Sequence, residues 1–374
     1  MKTAIVHDWL VTYAGAERVL AEIITLFPDA DIFSLIDHLP TAQRGFIGGR
    51  RVRTSFLQQI PFIGRTYRAF LPLMPAAVER FDLTGYDLVL SSSNAVARGV
   101  LTTADQLHIC YLQARNLKYA YEDRHQYPGG GLRRLVEDLL LTRIRVWDNV
   151  AARRPDHTIA NSRYVSQWYQ HRHGVTSDVL YPPVEVDFFA PFYRETKDDY
   201  FVTVGRLEPY KRMDVVVRAF GELSARLIVV GEGTQLAALR RMARPNVEFA
   251  GYCERDRVAE LVAGARAFVF ASREDFGIAP LEAQACGTPV IAFGHGGTRE
   301  TIQDLDAPRP TGLLFEEQTV PSLVAAVGRF ERERHCISPN ACRANAARFN
   351  AGRFRTEFRA YVDGAVARWR ATST

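Results

Sequence analysis

Tyr200-Phe201-Val202-Thr203-Val204-Gly205-Arg206-Leu207-Glu208-Pro209-Tyr210-Lys211 is the segment on which the fold turns. Five residues, β-branched or aromatic, read as a buried strand, and a glycine follows where the chain must bend. Downstream the alternation continues: helix Asp214–Glu222, strand Arg226–Val230, helix Thr234–Ala243, strand Val247–Phe249, helix Asp256–Ala263, strand Ala267–Phe270, helix Ala279–Cys286, strand Pro289–Ala292, and a glycine loop at Gly294–Gly297. Short buried strands alternating with helices define an α/β, doubly wound parallel sheet.

Upstream the rhythm is the same: strand Thr3–Val6, a loop through Gly15, a helix from about Glu17 to Phe27, strand Ile32–Ile36, and apolar runs at Leu88–Leu90, Ile109–Leu112 and His157–Ala160. Helical periodicity fills Leu132–Ala152. Between the halves, Tyr181-Pro182-Pro183-Val184 imposes extended backbone and Asp187–Asp199 is irregular, which puts the domain junction there. Rossmann-like domains are therefore expected at 1–185 and 186–350, and a C-terminal helix over 351–374 that is free to cross back to the first domain. Helical period runs on from Pro339 to Trp369, with Ala346, Phe349, Phe354, Phe358, Tyr361 and Val362 as its apolar face. Two such domains in series are expected to face across a cleft, and open parallel sheets bind ligands at the carboxyl ends of their strands.

The 374 residues, 47% hydrophobic and 24% charged, have the proportions of a globular protein and exclude disordered, collagen-like and disulfide-scaffold classes. A net charge of +5 is too slight to signal nucleic acid. The five cysteines, odd in number and without C-x-x-C spacing, read as reduced thiols. No apolar stretch has signal-peptide or membrane-spanning length, so a cytoplasmic chain is expected, with peripheral membrane attachment left open.

Candidate chemistry gathers at two strand ends. Gly205 permits a close turn, while Arg206 and Lys211 offer a planar fork and a compact charge to phosphate oxygens. Two cations in one cleft suit a diphosphate; the plain alternative is a pair of solvated surface residues. After strand Ala267–Phe270 comes Glu274-Asp275-Phe276-Gly277-Ile278-Ala279-Pro280-Leu281-Glu282. Pro280 in a first helical turn leaves Glu274 in the loop and Glu282 a turn onward, and the amides of Phe276, Gly277 and Ile278 would face an anion or hydroxyls. That suits a phosphorylated sugar, although a helix-start carboxylate with an exposed helical glutamate has the same pattern. Gly15, in Tyr13-Ala14-Gly15-Ala16-Glu17-Arg18, either brings amides to a phosphate or is ordinary turn chemistry. Gly231-Glu232-Gly233 has Leu236 where the dinucleotide fingerprint wants Gly or Ala, and reads as a structural turn. His7, His125, His173 and His295 show no metal-type spacing.

Together with Ala283-Gln284-Ala285-Cys286-Gly287-Thr288-Pro289-Val290-Ile291, Gly296-Gly297 and Glu300-Thr301, these motifs resemble the retaining GT-B glycosyltransferases of glycosyltransferase family 4 over nearly the whole chain. The resemblance implies that Arg206 and Lys211 bind the donor diphosphate and stabilise its departure, that Glu282 holds the ribose hydroxyls, and that Glu274 contacts the transferred sugar. The amides at Phe276, Gly277 and Ile278 and at Gly15 would complete the cradle. It also implies no cofactor and no metal, the two cations supplying the electrostatics, and front-face attack in which the leaving phosphate takes the acceptor's proton. One departure lies in Cys110-Tyr111-Leu112-Gln113-Ala114-Arg115-Asn116-Leu117-Lys118-Tyr119. Gln113 stands where such relatives carry histidine; glutamine can hydrogen-bond a sugar hydroxyl but cannot titrate near neutrality. Tyr111, Gln113 and Lys118 are the expected acceptor or sugar contacts.

Seven arginines (Arg44, Arg50, Arg51, Arg53, Arg65, Arg68, Arg80) stand against one acid, Glu79, with Phe46, Phe56, Phe62, Tyr67 and Phe70 interleaved. Such a segment suits the surface of an anionic bilayer, or else is a basic helix with its aromatics in its own core. No alternation of stacking aromatics points to nucleic acid. If the segment faces lipid, a lipid-linked saccharide is the expected acceptor. Members of the family resembled build surface polysaccharides and often use mannosyl donors, which makes GDP-mannose the first donor and UDP-sugars the alternative. Three other readings stay open: a hydrolase or phosphorylase working Glu274 against Glu282, a sugar-nucleotide-binding protein without turnover, and an NAD-dependent dehydrogenase.

Overall fold

The computed structural model describes residues 1–115, 117–121 and 131–372. It divides into one unit of residues 1–183 with 352–374 and a second of residues 184–351.

The first unit is built on seven parallel strands: β1 (Thr3–His7), β2 (Asp31–Ser34), β3 (Val52–Thr54), β4 (Leu88–Ser93), β5 (Leu107–Leu112), β6 (His157–Ala160) and β7 (Asp178–Val179), in the order β3-β2-β1-β4-β5-β6-β7. Every residue of β1, β4 and β5 is buried, so these strands lack the in-out alternation of a half-exposed sheet. The apolar run of β4 stops at Leu90, yet the strand continues through Ser91, Ser92 and Ser93. Buried hydroxyls are tolerated there because each is hydrogen-bonded, Ser91 to His108 Nε2 at 2.8 Å and Ser93 to the Arg98 N–H at 3.3 Å.

Helix α1 (Gly15–Leu26) begins two residues before the expected start, since the Glu17 carboxylate reaches back to the Ala14 N–H at 2.9 Å and satisfies an orphan donor of the first turn. The continuous helical period from Pro339 is broken into Pro339–Ala347 and Ala351–Thr372, because between them the Phe349 carbonyl accepts from the Val184 N–H at 2.8 Å. The terminal helix belongs to the first unit's core: Phe354, Phe358, Val362 and Ala365 pack with Ile5, Leu20, Ile109 and Tyr111. Phe354 and Phe358 stack at 5.5 Å, and each such burial stabilises by about 1.5–3 kcal/mol.

The second unit has six parallel strands: β8 (Phe201–Val204), β9 (Leu227–Val230), β10 (Val247–Gly251), β11 (Ala267–Phe270), β12 (Val290–Phe293) and β13 (Gly312–Phe315), ordered β10-β9-β8-β11-β12-β13. Helix α2 (Met213–Glu222) follows β8 and α3 (Ile278–Ala285) follows β11. In each sheet the chain direction of winding reverses once, between β1 and β4 and between β8 and β11. Loops leaving the carboxyl ends of those two strands diverge to opposite faces and open a crevice, which is where a doubly wound sheet takes its ligand.

Candidate functional site

Both candidate loops of the second unit leave the strands at its reversal point. Past β8, Pro209–Lys211 forms a single 3₁₀ turn, and Arg212 then takes a left-handed conformation (φ 52°), tied to Asp214 Oδ1 at 3.1 Å and Gln318 Oε1 at 2.9 Å. Ser272, past β11, donates its hydroxyl to the Lys211 carbonyl at 2.9 Å. So held, Lys211 brings its Nζ to 2.5 Å from Glu274 Oε1, the two side chains being 18% and 23% exposed. Arg206 is exposed; its guanidinium donates to the Tyr210 hydroxyl at 2.5 Å and lies 5.7 Å from that ring's centroid, while Lys211 Nζ lies 5.4 Å from the same centroid. Tyr210 thus lies beside both Arg206 and Lys211, while Lys211 alone carries the link to Glu274; the motif reading passed over Tyr210 because nothing in its spacing distinguishes it from a turn aromatic.

Gly277 precedes α3 at φ 90°, a conformation that L side chains rarely adopt. Phe276 is buried against Phe349, ring centroids 5.7 Å apart, so it offers the site only its backbone. Ile278 and Glu282, both half-buried, are four apart on α3 and share one face. The glycines at 296 and 297 brace the Glu274 loop from behind: the Gly297 N–H donates to the Glu274 carbonyl at 2.9 Å, and a Cβ on Gly297 would stand 2.3 Å from Phe276 Cα. Gly231 and Gly233 are likewise points of backbone approach, where a Cβ would lie 2.0 Å from the Gly205 oxygen or 2.5 Å from that of Leu207. Their role is the structural one read from the defective fingerprint.

In the first unit Gly15 is the first residue of α1, and its amide, with those of Ala16 and Glu17, precedes the helix's Arg18 N–H to Ala14 carbonyl bond of 3.0 Å. Gln113, just past β5, is half-buried beside this turn, its Nε2 2.9 Å from Ser92 Oγ and 3.4 Å from the Ala16 oxygen. Tyr111 corrects an expectation. It is 1% exposed, its hydroxyl donates to the Leu180 carbonyl at 2.9 Å, and its ring packs edge-on against Phe354 and Phe358, so it is a core residue and reaches no acceptor. Burial raises its phenol far above the ordinary tyrosine range. The strand pattern could not show this because the covering helix arrives from the far end of the chain. The Lys118 side chain, Asn116 and His125 lie outside the described residues. Asp8 escaped the sequence reading altogether: it is fully buried and accepts from the amides of Asn94, Ala95, Val96 and Ala97, fixing the turn after β4.

The arginine-rich segment is a run of short 3₁₀ and α turns, with no continuous basic helix. Arg44 pairs with Asp37 at 2.6 Å, Arg53 with Asp31 at 3.3 Å, and Arg50 donates to the carbonyls of Ile47 and Pro28. Tyr67 is buried, whereas Phe62 is 81% exposed on left-handed backbone (φ 59°), with Arg65 and Arg68 exposed close by in sequence. Among the described residues no helix is long and apolar enough to cross a membrane, and no three His, Cys, Asp or Glu side chains cluster as metal ligands.

Two Rossmann-like parallel sheets in one chain, with a cation–carboxylate pair at the second sheet's reversal point, define the GT-B architecture, and solved structures share it. Anabaena HepE in complex with UDP-glucose is similar at 17% identity and TM-score 0.69, over 97% of this chain and 100% of that one. Sucrose-phosphate synthase from Thermosynechococcus elongatus is similar at 16% identity and TM-score 0.70, over 100% of both. Residues 187–349, which lie within the second unit, match the family of glycosyl transferases group 1. Curated relatives include a D-inositol 3-phosphate glycosyltransferase of Mycolicibacterium paratuberculosis, 35% identical over 34% of each chain. A GDP-mannose-dependent monoacylated alpha-(1-6)-phosphatidylinositol monomannoside mannosyltransferase of Corynebacterium glutamicum is 36% identical over 32% of this chain and 34% of that one. The chain thus spans about a third of the length of these curated relatives.

Proposed function

We propose that the protein is a retaining, metal-independent glycosyltransferase that moves a sugar from a nucleotide-diphosphate donor to a saccharide acceptor. The observation that carries the reading is the Lys211–Glu274 pair with Arg206 close by, at the carboxyl ends of β8 and β11 and next to the start of α3. Arg206 and Lys211 take the diphosphate oxygens, the amides at Phe276, Gly277 and Ile278 face the same anion, Glu274 turns to a hydroxyl of the transferred sugar, and Glu282 holds the ribose. As the bond from anomeric carbon to phosphate oxygen breaks, the cations stabilise the charge growing on the leaving diphosphate. That phosphate oxygen takes the proton of the acceptor hydroxyl, whose oxygen bonds the anomeric carbon from the same face. Gly15 amides and Gln113 supply further contacts to phosphate and sugar.

GDP-mannose is the first donor, in line with the name of the Corynebacterium glutamicum relative; a UDP-sugar is the second reading, favoured by the similarity to HepE in complex with UDP-glucose. The acceptor is lipid-linked, and the exposed Phe62 with Arg65 and Arg68 touches the anionic inner face of the cytoplasmic membrane. Thermal unfolding with a panel of nucleotide sugars in EDTA tests the donor, since a ligand at 100 times its Kd adds about 2.7 kcal/mol. Stabilisation by GDP-mannose is expected, and stabilisation by no nucleotide sugar refutes the proposal.

A further inference from the structure

The polar groups buried around Gln113 form a chain with a direction. Gln113 is held on both sides of its backbone: its N–H donates to the Ser93 carbonyl at 2.8 Å, and its carbonyl accepts from Asn161 Nδ2 at 2.6 Å. From its side chain Nε2 reaches Ser92 Oγ at 2.9 Å and the Ala16 carbonyl at 3.4 Å. Ser92 Oγ in turn lies 3.1 Å from Nδ1 of His7, a fully buried side chain. The other ring nitrogen, His7 Nε2, has no hydrogen-bond partner and faces Glu17 Oε1 at 3.6 Å, while Glu17 Oε2 accepts the Ala14 N–H.

The two ends of this chain agree on its polarity. A carbonyl only accepts, so the Gln113 amide must turn its nitrogen toward Ala16 and Ser92. Ser92 Oγ then accepts from Gln113 and has its one proton for His7 Nδ1, which leaves the imidazole proton on Nε2, opposite the Glu17 carboxylate. The reverse direction would set the Gln113 oxygen against the Ala16 oxygen and an imidazole lone pair against a carboxylate, two repulsive contacts at a mostly buried site. The geometry points to Glu17, His7 and Ser92 as positioning residues that hold the Gln113 carbonyl oxygen toward the ligand, so that Gln113 recognises a sugar hydroxyl as a hydrogen-bond acceptor. Among the described residues that oxygen has no partner. The inference rests on the sugar-binding reading above and adds to it the polarity of the contact and the three residues that set it.

Histidine-selective ¹⁵N labelling of the full chain reads the tautomer of His7 without any ligand. Wild-type His7 is expected to carry its proton on Nε2. Gln113→Glu, whose carboxylate can only accept, is expected to draw the Ser92 proton and put a proton on His7 Nδ1; in a Ser92→Ala background His7 should no longer respond to that change. A wild-type His7 protonated on Nδ1, or a spectrum indifferent to Gln113→Glu, overturns the relay. Recognition is read with methyl α-mannopyranoside, methyl α-glucopyranoside and methyl α-galactopyranoside as probes. Gln113→Leu is expected to weaken the bound probe about fivefold or more, the loss of one neutral hydrogen bond. Binding of no probe, or equal binding by Gln113→Leu, overturns the hydroxyl contact. Absence of nucleotide-sugar binding with the relay intact strikes the transferase reading alone.

Discussion

Replacing Glu274 by glutamine is expected to tighten the binding of a bare nucleoside diphosphate while slowing sugar transfer. Lys211 Nζ sits 2.5 Å from Glu274 Oε1, with 18% and 23% of the side chains exposed. Unit charges about 4 Å apart attract by about 4 kcal/mol at an effective dielectric of roughly 20, whereas fully exposed pairs deliver about 0.2–1 kcal/mol. A pair with about a fifth of its surface in water falls between, at about 1–2 kcal/mol after solvent screening. A diphosphate must share Lys211 with that carboxylate and is repelled by it. Glutamine keeps the shape and removes both effects, so GDP and UDP should bind about 5–30-fold more tightly, at about tenfold per 1.4 kcal/mol. Calorimetric titration of both nucleotides into wild type and variant measures this, and the gain should shrink in high salt. Unchanged or weaker affinity in Glu274→Gln would refute the assignment of Lys211 to the diphosphate.

Lys211→Ala should lower transfer by about 10²–10³-fold, the scale of losing one preorganised stabiliser of developing charge, as measured by donor turnover. Gly231→Ala should destabilise the second unit by more than about 3 kcal/mol in urea unfolding, since its Cβ meets the Gly205 oxygen at 2.0 Å and φ is 131°; a near-neutral result would contradict the backbone approach. Tyr111→Phe should cost about 1–2 kcal/mol of stability by orphaning the buried Leu180 carbonyl, yet leave acceptor KM unchanged. Burial, with Arg154 adding to it, pushes the His108 imidazole down to about 3. Its ordinary value is 6.5, so between those limits the unfolded chain binds a proton that the folded chain excludes. That contribution is complete above about pH 6.5 and is lost as pH falls toward 3. His108→Gln should therefore flatten the rise of unfolding free energy with pH across that window by up to one proton, and an unaltered slope would count against it.

Sequence alone determined the parallel α/β character of both units and both strand-end loops of the second unit, because each depends on short-range pattern: apolar runs as long as a strand, glycine where backbone must bend, proline in a first helical turn. The short strands β3 and β7 left no signal, being three and two residues long at the edges of the sheet. Only the tertiary structure decided which polar residues meet. Lys211 and Glu274 are 63 residues apart, His7 and Ser92 85, and Tyr111 is sealed by a helix that begins at Ala351. Hydrogen bonds and ion pairs act over a few ångströms of space with no regard to chain distance, so the partners, and with them the surroundings of Gln113 and the burial of Tyr111, exist only once the strands lie side by side.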